Sequence, residues 1–414
     1  MTSATAPPRS TAAPWDELGA PPHAPFRAAV AERLFRRAVR DLPVRIALAG
    51  GPRLGSGGPG SPLMRIERPG AFFHRLGADA KIGFGEAYMA GDWSSPEPAE
   101  LLTPFAERMA ALIPAPLQLA RRWVDARQPG TDRGTGAGAR RNAEHHYDLS
   151  NDVFAAFLDE TMTYSAGLFV PGEDDLAAAQ RRKLDRVLDL AHVTAGTEVL
   201  EIGTGWGSLA IRAARRGARV TTVTLSAEQR RLAWERIAAA GLADRVEVRL
   251  ADYREVTGTF DAIVSVEMIE AVGRDFWPVY FRTLDRLLAP GGRIGLQLIT
   301  MPHDRMLATR RSYTWIHKYV FPGGLIPSPE AVRQVVAEHT SLRGTDGCSF
   351  GEHYARTLAQ WRERFGARWQ DVADLGFSER FRRMWEFYLA YSEAGFRAGY
   401  LDVRQWGLRK PGRS

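Results

Sequence analysis

The glycine-rich turn after the apolar segment at residues 198–202 constrains the fold more than any other feature of this chain. Glycines occupy the alternating positions Gly203, Gly205 and Gly207, and a helical pattern follows at 208–216. Glycine lets the backbone turn sharply and lets another molecule approach it closely. A strand, a glycine-rich turn and a helix in this order therefore predict a ligand-binding loop at the edge of a parallel sheet.

The segments around this turn alternate between the two patterns of secondary structure. Apolar strand patterns occur at 198–202, 219–224, 246–250, 260–266 and 292–300, and helical patterns at 174–191, 208–216, 227–240 and 277–288. Short loops connect them. This order predicts an α/β domain with a mostly parallel sheet.

The residues before this domain differ from it in composition. Residues 1–25 are rich in Ala, Pro, Ser and Thr and lack the order of a signal peptide, so we predict a disordered tail. Residues 26–127 combine helical patterns with short apolar pieces, which predicts a smaller α+β domain. The glycine-rich segment 128–140 is typical of a linker. The main, catalytic domain is then expected at 141–414.

Charge and composition narrow the possible partners. The net charge is +7, and only four of the 55 basic residues are lysines. An arginine excess fits an anionic membrane surface, a nucleic acid or an ordinary solvated surface. No RRM, KH or zinc-finger signature is present, so we predict no nucleic-acid partner. No apolar run is long enough to span a bilayer, so any membrane association is predicted to be peripheral.

A single cysteine, Cys348, rules out an internal disulfide and a cysteine-rich metal site, and we predict no metal. This use of cysteine suits the cytoplasm.

The spacing of the glycines distinguishes between cofactors. The pattern is G-x-G-x-G, and Ser208 breaks the G-x-G-x-x-G spacing of a dinucleotide site, which argues against a dehydrogenase. Glu201 stands directly before the loop, where a carboxylate suits an ammonium group. The combination resembles motif I of the S-adenosylmethionine (SAM) methyltransferases.

The next two strands supply further candidate contacts. The strand that ends at Thr224 has no acidic residue for ribose hydroxyls, and Gln229 one helical turn later is a polar substitute. After the third strand, Asp252 can reach an adenine amino group and Tyr253 can stack on the ring.

Several segments in the same order resemble the cyclopropane-fatty-acyl-phospholipid synthase family. They lie at 82–89, 141–152, 162–165, 201–207, 224–226, 270–273 and 318–324. The resemblance covers about residues 40–410. It implies a Rossmann-like fold and methyl transfer from SAM, through a carbocation, to the cis double bond of an acyl chain in a membrane phospholipid. The resemblance also implies a homodimer at the inner face of the membrane and a role of residues 26–127 in lipid binding or dimerisation.

The resemblance also implies roles for individual residues. With the contacts above, the predicted SAM site comprises Tyr164, Ser165, Glu201, Gly203, Gly205, Gly207, Thr224, Leu225, Gln229, Asp252 and Tyr253. Glu270 and Tyr354 would lie at the reacting centre, where bicarbonate takes the proton in the family. Glu270 is the first candidate for the base and Glu267 the alternative. His145 and His146 are further candidates, although structural hydrogen bonding explains them as well.

Three positions depart from the cyclopropane pattern. Ala166, Ala271 and Gln297 replace a cysteine and two histidines, which leaves bicarbonate binding open. A subset of the family shares this pattern, and its characterised members methylenate oleoyl chains at carbon 10 before a flavin-dependent reductase makes the methyl branch. We therefore predict a 10-methylene product, with Gln297 tuning the outcome.

Other functions stay open at this point. They are cyclopropane formation, methylation of a small molecule, and an idle lipid-binding subunit that serves a reductase. Tyr313, Trp315, Tyr319 and Phe321 form an aromatic segment that either lines the acyl pocket or belongs to the ordinary core.

Overall fold

The computed structural model describes residues 15–109 and 150–412. The helices are α1 (Pro25–Val39), α2 (Pro69–Ala78), α3 (Ala80–Ala90), α4 (Pro98–Glu107), α5 (Asn151–Phe157), α6 (Leu176–Leu190), α7 (Ser208–Arg215), α8 (Ala227–Ala239), α9 (Ile269–Val272), α10 (Trp277–Leu287), α11 (His303–Thr309), α12 (Trp315–Tyr319), α13 (Pro329–His339), α14 (Gly351–Ala367), α15 (Trp369–Asp374) and α16 (Glu379–Arg397). The strands are β1 (Arg45–Leu48), β2 (Arg53–Leu54), β3 (Leu63–Ile66), β4 (Trp93–Ser94), β5 (Glu198–Ile202), β6 (Arg219–Thr224), β7 (Val246–Leu250), β8 (Phe260–Val266), β9 (Leu288–Thr300), β10 (Arg343–Ser349) and β11 (Asp402–Arg409).

Seven strands form the main sheet in the order β10-β11-β9-β8-β5-β6-β7. The five strands from β9 to β7 run parallel, and β11 and β10 add antiparallel pairs at the other edge. The predicted fold class, an α/β domain with a mostly parallel sheet, is confirmed. β9 begins at Leu288, four residues before the predicted start, because it pairs there with Phe260 across a register shift.

Helix α6 carries a polar group into the interior of this domain. Asp175 caps its first turn by accepting from the backbone N–H groups of Ala177 and Ala178. The inner face buries Leu184 and Val187 against the sheet, and it also buries Lys183 completely. A buried lysine needs polar partners, because burying an unpaired charge is costly.

The N-terminal part is a four-stranded sheet in the order β2-β1-β3-β4 with helices beside it, as the predicted α+β class requires. It shares one apolar core with the main domain, in which Trp93 and Trp315 both contact Phe387 on α16. Gly85 on α3 makes this contact possible, because a Cβ there would lie 2.5 Å from the Trp315 ring.

The start of the described chain is packed rather than free. Trp15 is buried against Phe381, and the Ser378 hydroxyl donates to Asp16. Residues 15–24 therefore differ from the expected disordered tail, because an aromatic anchor outweighs their turn-rich composition. The predicted linker at 128–140 lies outside the described residues, and the domain boundaries stay predictions. Within the described ranges, no helix is long and apolar enough to cross a membrane.

Candidate active site

The glycine loop after β5 is open on one side. Gly203, Gly205 and Gly207 all have positive φ angles, so each adopts a conformation that other residues avoid. A Cβ on Gly203 would clash with Met268, whereas a Cβ on Gly205 would meet no protein atom within 4 Å. The loop is therefore closed against the protein at Gly203 and open at Gly205, where a ligand can approach the backbone.

Glu201 lies at the base of this loop with an unsatisfied carboxylate. The residue is 3% exposed, Thr222 supplies one hydrogen bond, and the Oε2 atom has no partner among the described residues. Burial raises the pKa of Glu201 to about 8. A buried carboxylate oxygen without a partner fits a ligand that brings an ammonium group.

The end of β6 is polar without being acidic. The Thr224 hydroxyl donates to Gln229 Oε1 at 2.8 Å, and both residues are buried. Ser226 caps α8 by accepting from the Gln229 N–H. Leu225 lies half-buried between them. Gln229 thus lies where the sequence predicted a substitute for the missing acid.

Asp252 and Tyr253 follow β7 as predicted, but Asp252 is engaged. Both of its carboxylate oxygens accept from the Arg254 guanidinium, at 2.8 and 2.5 Å. Tyr253 packs edge-on against Tyr280, and its buried hydroxyl has no partner within the described chain. The expected stacking of Tyr253 on adenine stays a prediction, as does the contact from Asp252.

Tyr164 and Ser165, two of the predicted SAM contacts, stand directly before Ala166, which belongs to a second group of polar residues. We call this group, which surrounds Glu267, the second centre. The Tyr164 hydroxyl shares a 2.7 Å hydrogen bond with Tyr388, and its ring stacks on Trp361. Ser165 is buried, and its hydroxyl accepts from Lys183 at 2.5 Å. Aromatic faces and a buried ammonium thus lie on either side of this short segment.

Glu267 is the middle of the second centre. Its Oε1 atom accepts from the Ala166 N–H at 3.0 Å and from the Gln297 side-chain amide at 2.8 Å, and Tyr354 also hydrogen-bonds to the carboxylate. The residue as a whole is half-buried. The backbone φ angle of Glu267 is 51°, a conformation that is strained for a residue with a side chain of this size.

Glu270 lies on α9 one turn later. Its Oε1 accepts from the Ile299 N–H, and its Oε2 is buried without a partner among the described residues. Burial, and then the nearby Glu267, raises the pKa of Glu270 to about 8. Burial also leaves the pKa of Glu267 above its usual value, but Lys183 is the strongest of the groups that lower it, and hydrogen bonds from Gln297, Ala166 and Tyr354 lower it further. Of the two acids, Glu267 has the better-supported anion.

The partners of Glu267 are themselves fixed. Gln297 also donates to the Ala166 carbonyl at 3.1 Å and accepts from Gln405 at 3.0 Å, so its amide has one orientation. Burial, and then Glu267, raises the pKa of Tyr354 well above its usual value, which keeps its hydroxyl protonated as a donor. Gln297 and Tyr354 therefore reach the predicted centre, where they hold Glu267.

The aromatic segment divides between two tasks. Trp315 is buried against Phe387, and the Tyr319 hydroxyl donates to Glu86 on α3, so both serve the core between the two parts of the chain. Phe321 packs against Tyr388, which contacts Tyr164. His145 and His146 lie outside the described residues.

The similarity of this chain to known proteins agrees with this geometry. Residues 136–406 match the mycolic acid cyclopropane synthetase family. The chain belongs to this family. Tuberculostearic acid methyltransferase UfaA1 of Mycobacterium tuberculosis H37Rv is 53% identical over 408 residues, which are 96% of each chain. Cyclopropane-fatty-acyl-phospholipid synthase of Escherichia coli K12 is 36% identical over 348 residues, 83% of this chain and 86% of the synthase.

A solved structure extends the match to the cofactor. Mycolic acid cyclopropane synthase CmaA1, complexed with SAH and CTAB, is 29% identical with a TM-score of 0.60 and covers 68% of this chain and 99% of its own. The predicted family is confirmed, and the chain is a SAM-dependent methyltransferase. The open Gly205 and the unsatisfied Glu201 oxygen fit SAM and its ammonium group.

Bicarbonate fits the second centre less well than SAM fits the glycine loop. Ala166 and Gln297, two of the positions that depart from the cyclopropane pattern, and Tyr354 of the expected reacting centre all bind the Glu267 carboxylate. A second anion there would lie against a buried carboxylate, which is unfavourable.

Proposed function

We propose that this methyltransferase acts on the cis double bond of an oleoyl-type acyl chain in a membrane phospholipid and gives a 10-methylene chain. The observation that carries the proposal is the Glu267 carboxylate, held by donors from Ala166, Gln297 and Tyr354. The relative that is 53% identical is named for tuberculostearic acid and not for a cyclopropane, which favours the branched product.

The chemistry requires a base that is placed with care. SAM, when bound, supplies an electrophilic methyl group. The alkene pair of electrons would form the new bond between carbon 10 and the methyl group as the bond from that group to sulfur breaks and the sulfur keeps its electron pair, and a cation would be left at carbon 9. Migration of the hydrogen on carbon 10, with its electron pair, moves the cation to carbon 10. Loss of a proton from the added methyl group to Glu267 then gives the methylene.

The position of the base decides between two products, because earlier loss of the proton closes a cyclopropane ring. Glu267 is fixed by its own backbone and by three donors, so it cannot follow the first cation as a free anion could. Tyr164, Trp361 and Tyr388 place aromatic faces beside the centre, where they can stabilise a cation and exclude water. Both features lengthen the time in which hydrogen can migrate.

The test uses oleate with deuterium on carbons 9 and 10, supplied to a host that expresses this protein alone. The methylene and the cyclopropane are isomers of equal mass, so the fatty acids are analysed by NMR. Hydrogen migration leaves both deuterium atoms on carbon 9 beside a methylene signal. A cyclopropane as the sole product, with one deuterium on each of carbons 9 and 10 and none on the bridging carbon, would overturn the methylene proposal and leave the methyltransferase assignment intact.

Helix α1 is the part of the chain that we propose to contact an anionic bilayer. Phe26, Val30 and Leu34 form an exposed stripe at helical spacing, and Phe26 is 81% exposed. Arginines at 27, 33, 37 and 40 are exposed on the same helix. An apolar stripe flanked by arginines is typical of a helix that lies in a membrane interface.

Vesicle flotation tests this contact. Vesicles with anionic lipid should bind the protein, and binding should weaken at high salt because the Debye length falls to about 3 Å at 1 M. Phe26→Ser should weaken binding, whereas Trp234→Ser, which removes an exposed aromatic from α8, should not. Binding that ignores salt, lipid charge and Phe26 would contradict the proposal.

Three further expectations accompany the function. A methylene product needs a reductase to become a methyl branch, so a flavin-dependent partner is proposed. A homodimer and a cytoplasmic location at the inner membrane face stay predictions from the family.

A further inference from the structure

Lys183 is a fully buried lysine that no step above uses. It lies on the inner face of α6, and its Nζ donates to the Ser165 hydroxyl at 2.5 Å and to the Ala166 carbonyl at 3.2 Å. Its backbone carbonyl accepts from Gln405, the residue that orients Gln297. Lys183 is thus connected on both sides to the groups that hold Glu267.

Ala166 forms hydrogen bonds with both Lys183 and Glu267. Ala166 gives its N–H to the Glu267 carboxylate and its carbonyl to the Lys183 ammonium. The peptide groups of this short segment therefore separate a buried anion from a buried cation. The two charges favour each other, since Lys183 lowers the pKa of Glu267 and Glu267 raises the pKa of Lys183.

We propose that Lys183 is a positioning residue that keeps Glu267 ionised and fixes the 165–166 backbone that binds it. The inference rests on the proposed function, in which Glu267 is the base. A buried carboxyl group without a cation nearby takes up a proton and can no longer act as a base at neutral pH. The lysine supplies that cation without touching the substrate.

The other ionisable groups around this pair come from four elements. They are Glu270 on α9, Tyr354 on α14, Tyr388 on α16, and Asp159 in the loop after α5. Glu270 opposes ionisation of Glu267, and Asp159 supports the charge of Lys183. Burial lowers the pKa of Lys183 to about 8, although the charges of Glu267 and Asp159 raise it. Lys183 therefore remains mostly an ammonium at pH 7.

The composition of the chain supports a specific role. Lysine occupies only four positions among 55 basic residues. Lys183 is the one of the four that is completely buried. A compact ammonium reaches Ser165 and Ala166 at once, whereas a planar guanidinium is larger and brings five donors to a closed space.

The decisive variant is Lys183→Met, which keeps the length of the side chain and removes the charge. We expect the acid limb of the pH–rate profile to move to higher pH by at least about one unit, because a neighbouring opposite charge shifts a carboxyl pKa by about 1–3 units. Activity should recover in part at high pH. Lys410→Met, which removes a lysine paired with Asp285 far from the centre, should leave the profile unchanged.

Infrared difference spectroscopy measures the protonation of Glu267 without turnover. The carboxylic acid band assigned to Glu267 by its loss in Glu267→Gln should be weak in the wild type at pH 7 and strong in Lys183→Met. An unchanged Glu267 titration in a folded Lys183→Met protein would overturn the inference. A rate lowered by one factor at every pH would also contradict it, because that result indicates a structural role.

Two further measurements keep the test sharp if Lys183→Met is unstable. The melting temperature of Lys183→Met should fall more steeply with rising pH than that of the wild type, since Glu267 must then ionise without its cation, and the double variant with Glu267→Gln should lose this extra pH dependence. Equal pH dependence in the single and double variants would overturn the inference. The product analysis by NMR tests the proposed function separately, so the two can fail independently.

Discussion

The cofactor loop and the acid–base centre were built in different ways. The loop site comes from one continuous segment, in which Glu201 near the end of β5 and Gly205 before α7 stand four residues apart. The centre comes from segments far apart in the chain, since Ala166, Gln297 and Tyr354 meet only around Glu267. A motif read along the sequence therefore finds the loop, while only the fold assembles the centre.

The difference also concerns what each region leaves unsatisfied. At the loop, an oxygen of Glu201 has no described partner, so the site is completed by a ligand. At the centre, the Glu267 carboxylate is held by several donors of the protein itself, and the unsatisfied oxygen belongs to its neighbour Glu270. We infer that the loop binds SAM and that the second centre needs no added anion to act as a base.

Substitution of the two acids should have the largest effect on turnover. Glu267→Gln should lower turnover by about 10²–10⁴, the usual contribution of a general base, while SAM still binds. Glu270→Gln should stay within about tenfold of the wild type, because glutamine resembles the neutral acid favoured by a pKa of about 8. Steady-state rates measure the loss of turnover in each variant, and isothermal titration calorimetry shows whether SAM still binds. The reverse order of the two effects would return the role of base to Glu270, as the sequence first indicated.

A side chain in the loop should have the next largest effect. Gly205→Val should weaken SAM binding by about 100-fold or more, since the valine strains the backbone and fills the open side of the loop. Gly241→Val is the matched control, because Gly241 also has a positive φ with open space around it but lies after α8. Wild-type affinity in a folded Gly205→Val protein would remove the ligand from this loop.

The sequence predicted the sheet well because its signals are local. Four strands from β5 to β8 match their predicted bounds, since apolar runs between short loops mark buried strands. The antiparallel strands β10 and β11 were not predicted. β10 has an exposed, glycine-containing sequence with little apolar pattern.

The site divides in the same way. The predicted loop contacts follow motifs, whereas the ligands of Glu267 depend on tertiary contacts across 30 to 101 residues. Lys183 was missed because a lone lysine in a helical pattern is usually solvated. The scarcity of lysine in this chain was the one signal that could have pointed to it.

The pH dependence of SAM binding sharpens the account of the loop. Burial raises the pKa of Glu201 to about 8, so its neutral form dominates at pH 7. An ammonium group favours the carboxylate, so a proton must leave on binding. Affinity should therefore rise by up to about tenfold per pH unit below pH 8, until the ammonium group of the ligand itself loses its proton.

Titration calorimetry in buffers of different ionisation enthalpy should detect this proton, and Glu201→Gln should abolish both its release and the pH dependence. Affinity that is independent of pH in the wild type would show that Glu201 does not receive the ammonium group.

Gln297 should have the smallest effect. Gln297→His removes an amide that holds Glu267 and Ala166 together, so the base should become less fixed. We expect a rate change of a few-fold, on the order of one lost hydrogen bond, and a minor share of cyclopropane. Gln334→His, on the exposed face of α13, is the control. NMR of the products measures the share, and an unchanged product would limit Gln297 to a structural role.

Chemical rescue of Glu267→Gly tests the central claim most directly, namely that Glu267 takes the place of a free anion. Glycine removes the carboxylate and relieves the strained backbone at this position, so the variant should fold. In bicarbonate-free buffer it should be nearly inactive, and added bicarbonate or formate should restore turnover in a saturable way, while the wild type should not respond. A wild type that requires bicarbonate, or a Glu267→Gly protein that is fully active without it, would contradict the account.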